Sequence, residues 1–586
     1  GHQPMLSNSN RYVIVFNGEI YNHLSLRKKL DDSGYNIAWK GGSDTETLLS
    51  CIDIWGLEKT IKLCNGMFAI ALFDKKKNSI YLTRDRLGEK PLYYGVQNGI
   101  FMFGSELKAI KAHPKFLGEI DRKSVALQLK YSYIPTPFSI YKEIKKLTPG
   151  TILKVDIEES YLNIDAIKNP KSYWSLEEVA RQSKTNIYTG SEIEALDELG
   201  CLLSHSVGEQ MQADVSLGAF LSGGIDSSLI VSIMQSLSSD PVETFTIGFN
   251  EKGYDEAIYA KQIASHLGTK HTELYVSASD AMDVIPKLPN LYDEPFSDSS
   301  QIPTYLVSEM TKKNVTVALS GDAGDELFGG YNRYLWTKNI WSKIKYMPIQ
   351  VRKFASWCVV SISPAVWNKI LGQIVNLPLP GDKLHKLANL LPAKSVDDFY
   401  FHLISQWHNV EKFVLGSVGF RSPIEDRALH PDFESIEQKM MYLDSISYLP
   451  DDILTKVDRA SMGVSLETRI PFLNHHLVEF SYQLPLSLKI KNSESKWILK
   501  KLVDRYLPRE LIERKKMGFG VPIDSWLRGP LRDWAESLLN ETRLRQEGFF
   551  RPEIIRKIWH EHLSGSLNRQ YQLWNVLMFQ AWLEDQ

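Results

Sequence analysis

Ala219-Phe-Leu-Ser-Gly-Gly-Ile-Asp-Ser-Ser228 is the stretch on which the reading of the fold turns. Val215 to Leu221 is apolar enough for a buried parallel strand. Leu229 to Leu237 (LIVSIMQSL) carries the apolar face of a helix. Between them, Ser222-Gly-Gly-Ile-Asp-Ser227 is a strand-to-helix turn of mostly small residues. Two glycines let the backbone approach a ligand closely, and the helix start offers unpaired N–H groups and a positive dipole end. Each charge–dipole contact contributes only about 0.3–1 kcal/mol, so a polyphosphate needs several donors together. Asp226 would repel phosphate unless a divalent cation lies between them. A Walker A loop is excluded, because it requires a lysine after the last glycine and the chain has no Gly-Lys dipeptide.

At 586 residues the chain is too long for one core and divides into several domains. Apolar residues at 43% and charged residues at 24% are those of an ordinary globular protein. A net charge of −2 offers no field for nucleic acid or an anionic membrane, a local basic patch aside, so neither is expected as a partner. Cys51, Cys64, Cys201 and Cys358 lie far apart without a CxxC and read as reduced thiols of a cytoplasmic protein. The apolar run near Phe354 to Trp367 is short and broken by Pro364, so no membrane span is expected. No signal peptide is visible.

Residues 1–155 read as mainly β. Tyr12-Val-Ile-Val-Phe16 is a strand running into Asn17-Gly-Glu-Ile-Tyr-Asn22, read as a turn. A helix over Leu24–Asp32 closes on Ser33-Gly34. Gly41-Gly-Ser-Asp-Thr-Glu46 precedes a second helix, capped by Ser43 or Asp44. The runs GMFAIALFD, SIYLTRD, PLYYGV and GIFMFGS from Gly66 onward are strands with hairpin turns at Lys75–Asn78 and Gln97–Gly99. Residues 156–190 are polar and read as a linker, with Tyr173-Trp174 tucked against one domain. Residues 191–586 form the second domain, opening on a helix over Ser191–Met211.

From the SGGIDSS loop the chain alternates: strand Val242–Phe249, helix Tyr254–Leu267 ended by Gly268, strand Thr272–Val276, helices over 279–288 and 300–313, and strand Val315–Leu319. The last strand flows into Ser320-Gly-Asp-Ala-Gly-Asp-Glu-Leu-Phe-Gly-Gly-Tyr331. Repeated βαβ units imply a parallel doubly wound sheet with ligands at the C-terminal strand ends. Both Gly-rich loops then open on one sheet edge and make one nucleotide site. Beyond Tyr331 the strands are expected to stop, leaving Trp-rich helices. His560-Glu561-His562 is not HExxH and reads as surface, and His475-His476 does not read as a metal site.

The SGGIDSS run resembles the pyrophosphate loop of ATP pyrophosphatases. Asn17-Gly18-Glu19, Ser43-Asp44-Thr45-Glu46, Arg84-Asp85-Arg86-Leu87-Gly88-Glu89-Lys90-Pro91-Leu92-Tyr93 and Ser105-Glu106-Leu107-Lys108 resemble the glutaminase domain of glutamine-dependent asparagine synthetases. SGDAGDELFGGY, DRASMGVSLETRIPFL and Lys496-Trp-Ile-Leu-Lys500 follow in family order. The resemblance implies an α/β protein. Residues 1–155 would be an αββα N-terminal-nucleophile-type glutaminase domain, truncated at its start, and residues 191–586 a doubly wound ATP-pyrophosphatase domain with a helical C-terminal part.

The implied reaction has two half-steps. Aspartate attacks ATP to give β-aspartyl-AMP and pyrophosphate, and ammonia from glutamine then displaces AMP. The family assigns Asn17, Gly18, Glu19 and Asp44 to glutamine. The backbone and amide of Asn17 and Gly18 can bind an oxyanion, and Glu19 and Asp44 suit an α-ammonium. It assigns Leu221, Ile247, Ser320 and Gly321 to the nucleotide, and Ser222, Gly223, Gly224, Asp226 and Ser227 to pyrophosphate. Asp226 and Asp325 would organise Mg²⁺, and Lys496 would stabilise charge on the transferring phosphates. Small-molecule substrates, ATP and Mg²⁺ are the expected ligands, and a homodimer is compatible with the family.

The family's nucleophile is an N-terminal cysteine. This chain opens on Gly1-His-Gln-Pro, which resembles a point well inside that domain, so no nucleophile is expected among its residues. Cys51 and Cys64 sit mid-chain in apolar surroundings and cannot replace it. Two further departures bear on the acceptor: Asp322 stands where glutamate is expected, and Asn474 replaces the aspartate of a PFLD pattern. They leave open an amidotransferase acting on another carboxylate, such as a uronic acid; a third reading is a non-catalytic relative whose glutaminase half has decayed, against which the intact NGE, SDTE and both nucleotide loops speak.

Overall fold

In the computed structural model, which describes all residues except 1, 158–166, 168, 250–255, 373–379, 418, 420, 421, 427, 429 and 514–519, two antiparallel sheets stack in the first part of the chain. The larger contains β1 (Met5–Leu6), β2 (Tyr12–Ile20), β3 (Gly66–Asp74) and β4 (Ser79–Arg84), extended by two later strands. The smaller is built from β5 (Tyr93–Gln97), β6 (Ile100–Gly104) and β7 (Ile144–Lys146), in the order β6-β5-β7. The chain then returns to the larger sheet with β8 (Thr151–Asp156) and β9 (Lys171–Ser172), completing the order β1-β2-β3-β4-β8-β9.

Alternation along the strands creates two faces per sheet. Ala69, Ala71, Leu82, Leu153 and Val155 of the larger sheet meet Tyr94 of the smaller one, with Leu92 and Leu147. The other face of the larger sheet, Ile14, Phe16, Ile70 and Leu72, packs on helices His23–Asp32 and Asp44–Trp55. Tyr93 and Met102 turn the other way onto helices Leu107–Lys111 and Arg122–Tyr131. The result is the expected αββα sandwich.

Asn17-Gly18-Glu19 is not a turn. It continues β2 opposite β3, with Asn17, Gly18 and Glu19 beside Ala69, Phe68 and Met67. Gly18 has φ +151° and lies so close to β3 that a Cβ would fall 2.0 Å from the Met67 carbonyl oxygen. The sequence signal misleads because Asn-Gly is a turn dipeptide unless a neighbouring strand requires glycine for contact.

Within residues 156–190, β9 pairs with β8, Tyr173 is buried in the first domain's core, and Leu176–Gln182 is a helix. The stretch read as a linker is therefore structured where it is described.

The third sheet is wholly parallel. Its strands are β10 (Leu217–Phe220), β11 (Glu243–Phe249), β12 (Lys270–Val276), β13 (Val317–Leu319) and β14 (Glu467–Arg469), in the order β12-β11-β10-β13-β14. The doubly wound architecture is as expected, and the order reverses at β10 and β13, where such folds bind ligands. Strands do not stop at Tyr331, because Glu467-Thr-Arg469 adds the edge strand β14. Three residues are too short to show a periodicity. Helix Ala257–Leu267 ends on Gly268 with φ +72°, and Tyr254, read as its start, lies outside the described residues.

The largest core crosses the two halves. Val125, Leu129 and Tyr131 join Ile302 and Leu306 and, from the last helix, Trp574, Phe579 and Trp582. His562 is fully buried there, which corrects its reading as a surface residue, whereas His560 is exposed.

Gly18→Ala should destabilise the protein by about 3 kcal/mol, combining overpacking with a backbone strained at positive φ. Gly34→Ala, at φ +84° with no atom within 4 Å of its Cβ position, should cost only about 1 kcal/mol. Urea unfolding compares the two, and equal losses would remove close packing as the reason for Gly18.

Candidate active site

The SGGIDSS loop is organised by its serines. Ser222 Oγ lies 3.0 Å from Ser227 Oγ and accepts the Gly224 N–H at 3.3 Å, while Gly223 takes φ +70°. Helix Ile225–Leu237 follows with Gly224 at its N-cap and no side-chain cap, so its first N–H groups face the loop.

The second Gly-rich loop lies against the first. A Cβ on Gly321 would meet Ser227 N at 2.6 Å, and one on Gly324 would meet Asp226 Oδ1 at 2.5 Å. Register produces this closeness: Ala219 of β10 is level with Leu319 of β13, so both loops leave the sheet together.

Lys496 joins the loops. It is 3% exposed, and its ammonium pairs with Asp226 and with Asp325 Oδ1, the latter at 2.5 Å. Burial alone would lower the Lys496 pKa, but the two carboxylates raise it and keep the lysine charged. Lys496 has φ +55° and Ala323 φ +71°, so two non-glycine residues at this site hold the left-handed conformation. Gly330 leaves room for the pair, since a Cβ there would lie 1.8 Å from Asp325 Oδ1 and 2.1 Å from Lys496 Cε. The sequence reading missed Gly330, although it stands in SGDAGDELFGGY.

A cavity of about 700 Å³ spans these parts. Leu221, Ser222, Gly223, Gly224, Asp226, Ser227, Ser320, Gly321, Asp322, Asp325 and Lys496 all line it. Ile247 does not; it points into the core at 2% exposure, and its neighbour Thr246 faces the cavity.

Asp322 accepts the Ser320 hydroxyl at 2.5 Å, and burial raises its carboxyl pKa. Across the cavity Lys456 pairs with Asp298 at 2.7 Å. Burial would raise Asp298, but the Lys456 charge and Ser300 hydrogen bonds hold it at about 2. Lys456 follows a π-helix over Asp444–Leu454 that contains Pro450 and brings Tyr448 and Ile453 to the cavity. Such wide turns recur at functional sites, and no sequence pattern announced this one.

The glutamine-side residues also converge. Asp44 accepts the Ile20 N–H at 3.0 Å and the Thr45 N–H at 2.6 Å, and the Asn17 amide donates to Ser105 Oγ at 3.0 Å. Glu19 lies 3.7 Å from Arg469, and burial together with Asp44 pushes its carboxyl up to about 7. A Glu19 carboxyl buried beside Asp44 suits an incoming ammonium, whose charge favours its ionised form. Cys51 and Cys64 are buried; burial pushes the Cys51 thiol up to about 12 and raises that of Cys64 further, so neither is an activated nucleophile.

The RDRLGEKPLY run carries structure rather than chemistry. Asp85 accepts backbone N–H groups of Phe68, Leu87, Gly88, Glu89 and Lys90, and Arg86 donates to the carbonyls of Ile61, Lys62 and Cys64. Lys90 then makes a buried ion pair with Asp458 at 2.8 Å, and Arg459 donates to the Ser105 carbonyl. Asn474 is a helix cap, accepting the His476 N–H at 3.0 Å. It lines a small cavity with Arg86 and Glu89 and is not among the residues lining the nucleotide cavity.

The asparagine synthase family model matches residues 198–584, and that of the glutamine amidotransferase domain matches residues 1–174. The chain belongs to the asparagine synthase family. Asparagine synthetase (glutamine-hydrolyzing) 1 of Bacillus subtilis (strain 168) is 30% identical over 582 residues, covering 99% of this chain and 87% of that protein. Asparagine synthetase (glutamine-hydrolyzing) 3 of the same strain is 29% identical over 539 residues, 88% of this chain and 77% of that protein. Amidase chyE of Penicillium rubens (strain ATCC 28089 / DSM 1075 / NRRL 1951 / Wisconsin 54-1255) is 24% identical over 589 residues, 94% of this chain and 83% of that protein. The family is one of ATP-using, glutamine-hydrolysing amidotransferases. No helix among the described residues is long and apolar enough to cross a membrane.

Gly330→Ala should reduce ATP-dependent adenylation at least a hundredfold, because it drives Asp325 from Lys496 and a misplacement of about 1 Å can cost that much. Wild-type pyrophosphate exchange in this variant would show that the ion triad is dispensable. Glu326, 1% exposed behind Asp325, has its carboxyl pushed up to about 7 by burial and by that neighbour. Its stabilising contribution is complete below about 4.5, where both states are protonated, and is lost as pH rises through about 7, by at most about 1.4 kcal/mol per unit. Glu326→Gln should therefore remove part of the decline in stability between pH 5 and pH 8. Identical slopes for variant and wild type would refute titration of Glu326 in that window.

Proposed function

We propose that this protein converts aspartate to asparagine through β-aspartyl-AMP, with ammonia as the nitrogen donor, drawn from glutamine where an N-terminal cysteine nucleophile is present. The observation that carries the reading is the buried Lys496 ammonium held by Asp226 and Asp325 where two phosphate-facing loops meet. ATP would lie over Leu221, Thr246, Ser320 and Gly321, with its β- and γ-phosphates on the N–H groups and hydroxyls of Ser222, Gly223, Gly224 and Ser227. The acceptor carboxylate attacks the α-phosphorus, the bond to the bridging oxygen breaks, and pyrophosphate leaves. Lys496, desolvated and charged, offsets the negative charge gathering on the departing phosphates. Ammonia then attacks the acyl carbon and AMP departs.

Asp226 and Asp325 also fit Mg²⁺. A hard cation of this size takes one or two carboxylates and completes its shell with substrate phosphates and water, so two protein ligands suffice. When bound, it would neutralise phosphate charge beside Lys496. Asn17, Gly18, Glu19 and Asp44 would hold glutamine, the raised Glu19 carboxyl ionising as the α-ammonium arrives.

A second reading, amidation of another carboxylate, is favoured by Asp322. It is one methylene shorter than the expected glutamate, about 1.5 Å of reach. Its bond to Ser320 turns it toward its own loop. The similarity to a protein named an amidase keeps other acceptors in view. The aspartate reading requires the Asp322 loop to advance by that distance when the substrate binds.

ATP–pyrophosphate exchange across aspartate, glutamate and hexuronic acids separates the readings. Aspartate should support exchange, Asp322→Glu should lower it only modestly, and Asp322→Ala should abolish it. Exchange with a hexuronate but not with aspartate, lost in Asp322→Glu, would establish the second reading.

A further inference from the structure

Between Glu326 and Asp382 the chain contains no Asp or Glu, yet it carries Arg333, Lys338, Lys343, Lys345, Arg352, Lys353 and Lys369. In a protein with 70 acidic residues out of 586, this is a strong local bias, and the overall charge of −2 averages it away. Three of these cations are engaged internally. Arg333 pairs with Asp444 at 2.8 Å, Lys338 with Glu437 at 2.8 Å, and buried Arg352 donates to the carbonyls of Met347, Leu391 and Ala393. Lys343, Lys345, Lys353 and Lys369 are exposed, and among the described residues none has a carboxylate partner.

The same segment is packed inside out. Helix Ile349–Val360 buries Arg352 and Ser356, while Val351, Phe354, Trp357 and Val360 face solvent, Phe354 at 64% and Trp357 at 65% exposure. Phe354 and Trp357 lie one turn apart and stack with centroids 5.9 Å apart. Helix Pro364–Leu371 exposes Val366 and Ile370, and the turn before Ile349 exposes Tyr346 at 80%. An apolar face of this extent marks an interaction surface.

Charge and length identify the occupant. Helices of twelve and eight residues are too short to span a bilayer. Apolar and aromatic side chains flanked by lysines are what an interfacial helix offers to lipid. A second copy of this face would bring like-charged lysines together. An anionic headgroup layer meets them instead. We propose that residues 336–370 dock on the surface of an anionic lipid bilayer, with Phe354 and Trp357 entering the boundary between headgroups and acyl chains and the four lysines contacting lipid phosphates. The helix leading to this face starts at Asn332, which lines the nucleotide cavity.

The test is sedimentation with vesicles of phosphatidylcholine containing about 30% phosphatidylglycerol, against vesicles of phosphatidylcholine alone. The protein should bind the first and not the second. One basic side chain near an anionic surface strengthens binding roughly fivefold. Lys345→Glu/Lys353→Glu should therefore weaken binding at least tenfold, as should Phe354→Ser/Trp357→Ser, and both variants should unfold at the wild-type temperature. No binding, or equal binding to both vesicles, overturns the proposal. So does a dimer in light scattering that Phe354→Ser/Trp357→Ser dissociates without any vesicle binding, which would assign the face to a second copy.

Discussion

One buried cation constrains the geometry of the nucleotide site. An ammonium withdrawn from water loses several kcal/mol of solvation, which only close carboxylates offset, and removing one partner of such a pair typically costs about 3–5 kcal/mol. Lys496 therefore ties Asp226 of the first Gly-rich loop to Asp325 of the second, and both to the helix Trp497–Val503. The three come from positions about 100 and 170 residues apart in the chain. Their meeting depends on β10 and β13 being adjacent and level, on Gly321 and Gly324 letting the loops touch, and on Gly330 vacating the space between Asp325 and Lys496. Glycine acts at these three positions through the volume it omits, since all three have ordinary φ; the strained backbone is at Ala323 and Lys496.

The same logic orders the first domain. Asp85 is buried with no ion pair among the described residues, yet it is satisfied because five backbone N–H groups turn toward it. That cradle shapes the loop and places Lys90 against Asp458 of the second domain. Arg459, one residue on, reaches back to Ser105 and Glu106. The glutamine side and the nucleotide side are thereby held in one arrangement by buried charge pairs, a geometry far more sensitive to truncation of one partner than to loss of a surface contact. The shared core of Val125, Leu306 and Trp574 supplies the apolar burial around them.

What could be read from the chain follows from the range of each signal. The hydrophobic strands and the two Gly-rich loops are local patterns, and they located β3 to β6, β10, β13 and most of the residues lining the nucleotide cavity. Features set by distant partners were not local. Gly18 looks like a turn residue until β3 is known to press against it, and Glu467-Thr-Arg469 is a strand only because β13 lies beside it. Ile247 and Thr246 differ by one position in a strand, so a one-residue ambiguity exchanges core for cavity. Asn474 appeared chemically significant because a carboxylate was expected there, but a helix N-cap accepts Asn and Asp almost equally. The π-helix at Asp444–Leu454 had no signature at all, and Gly330 was visible only as one glycine of a motif, with nothing to show which atoms it makes room for.

Average quantities hid the most unusual surface of the molecule. Net charge sums over the whole chain, while a ligand within a Debye length of a surface senses only the charges nearby. Between Glu326 and Asp382 those charges are all positive, and the rest of the protein carries the compensating carboxylates. Apolar content is blind in the same way: Phe354 and Trp357 contribute as core residues would, yet their helix turns Arg352 and Ser356 inward. Arg352 can be buried because three carbonyls receive its guanidinium, so the inversion is satisfied from within and does not require an exchange of faces. A helix whose buried side is already complete gains nothing by turning its aromatic side inward. Among the described residues those rings stay largely in water and the lysines around them have no carboxylate partner, and together they determine the chemistry that a covering surface must bring.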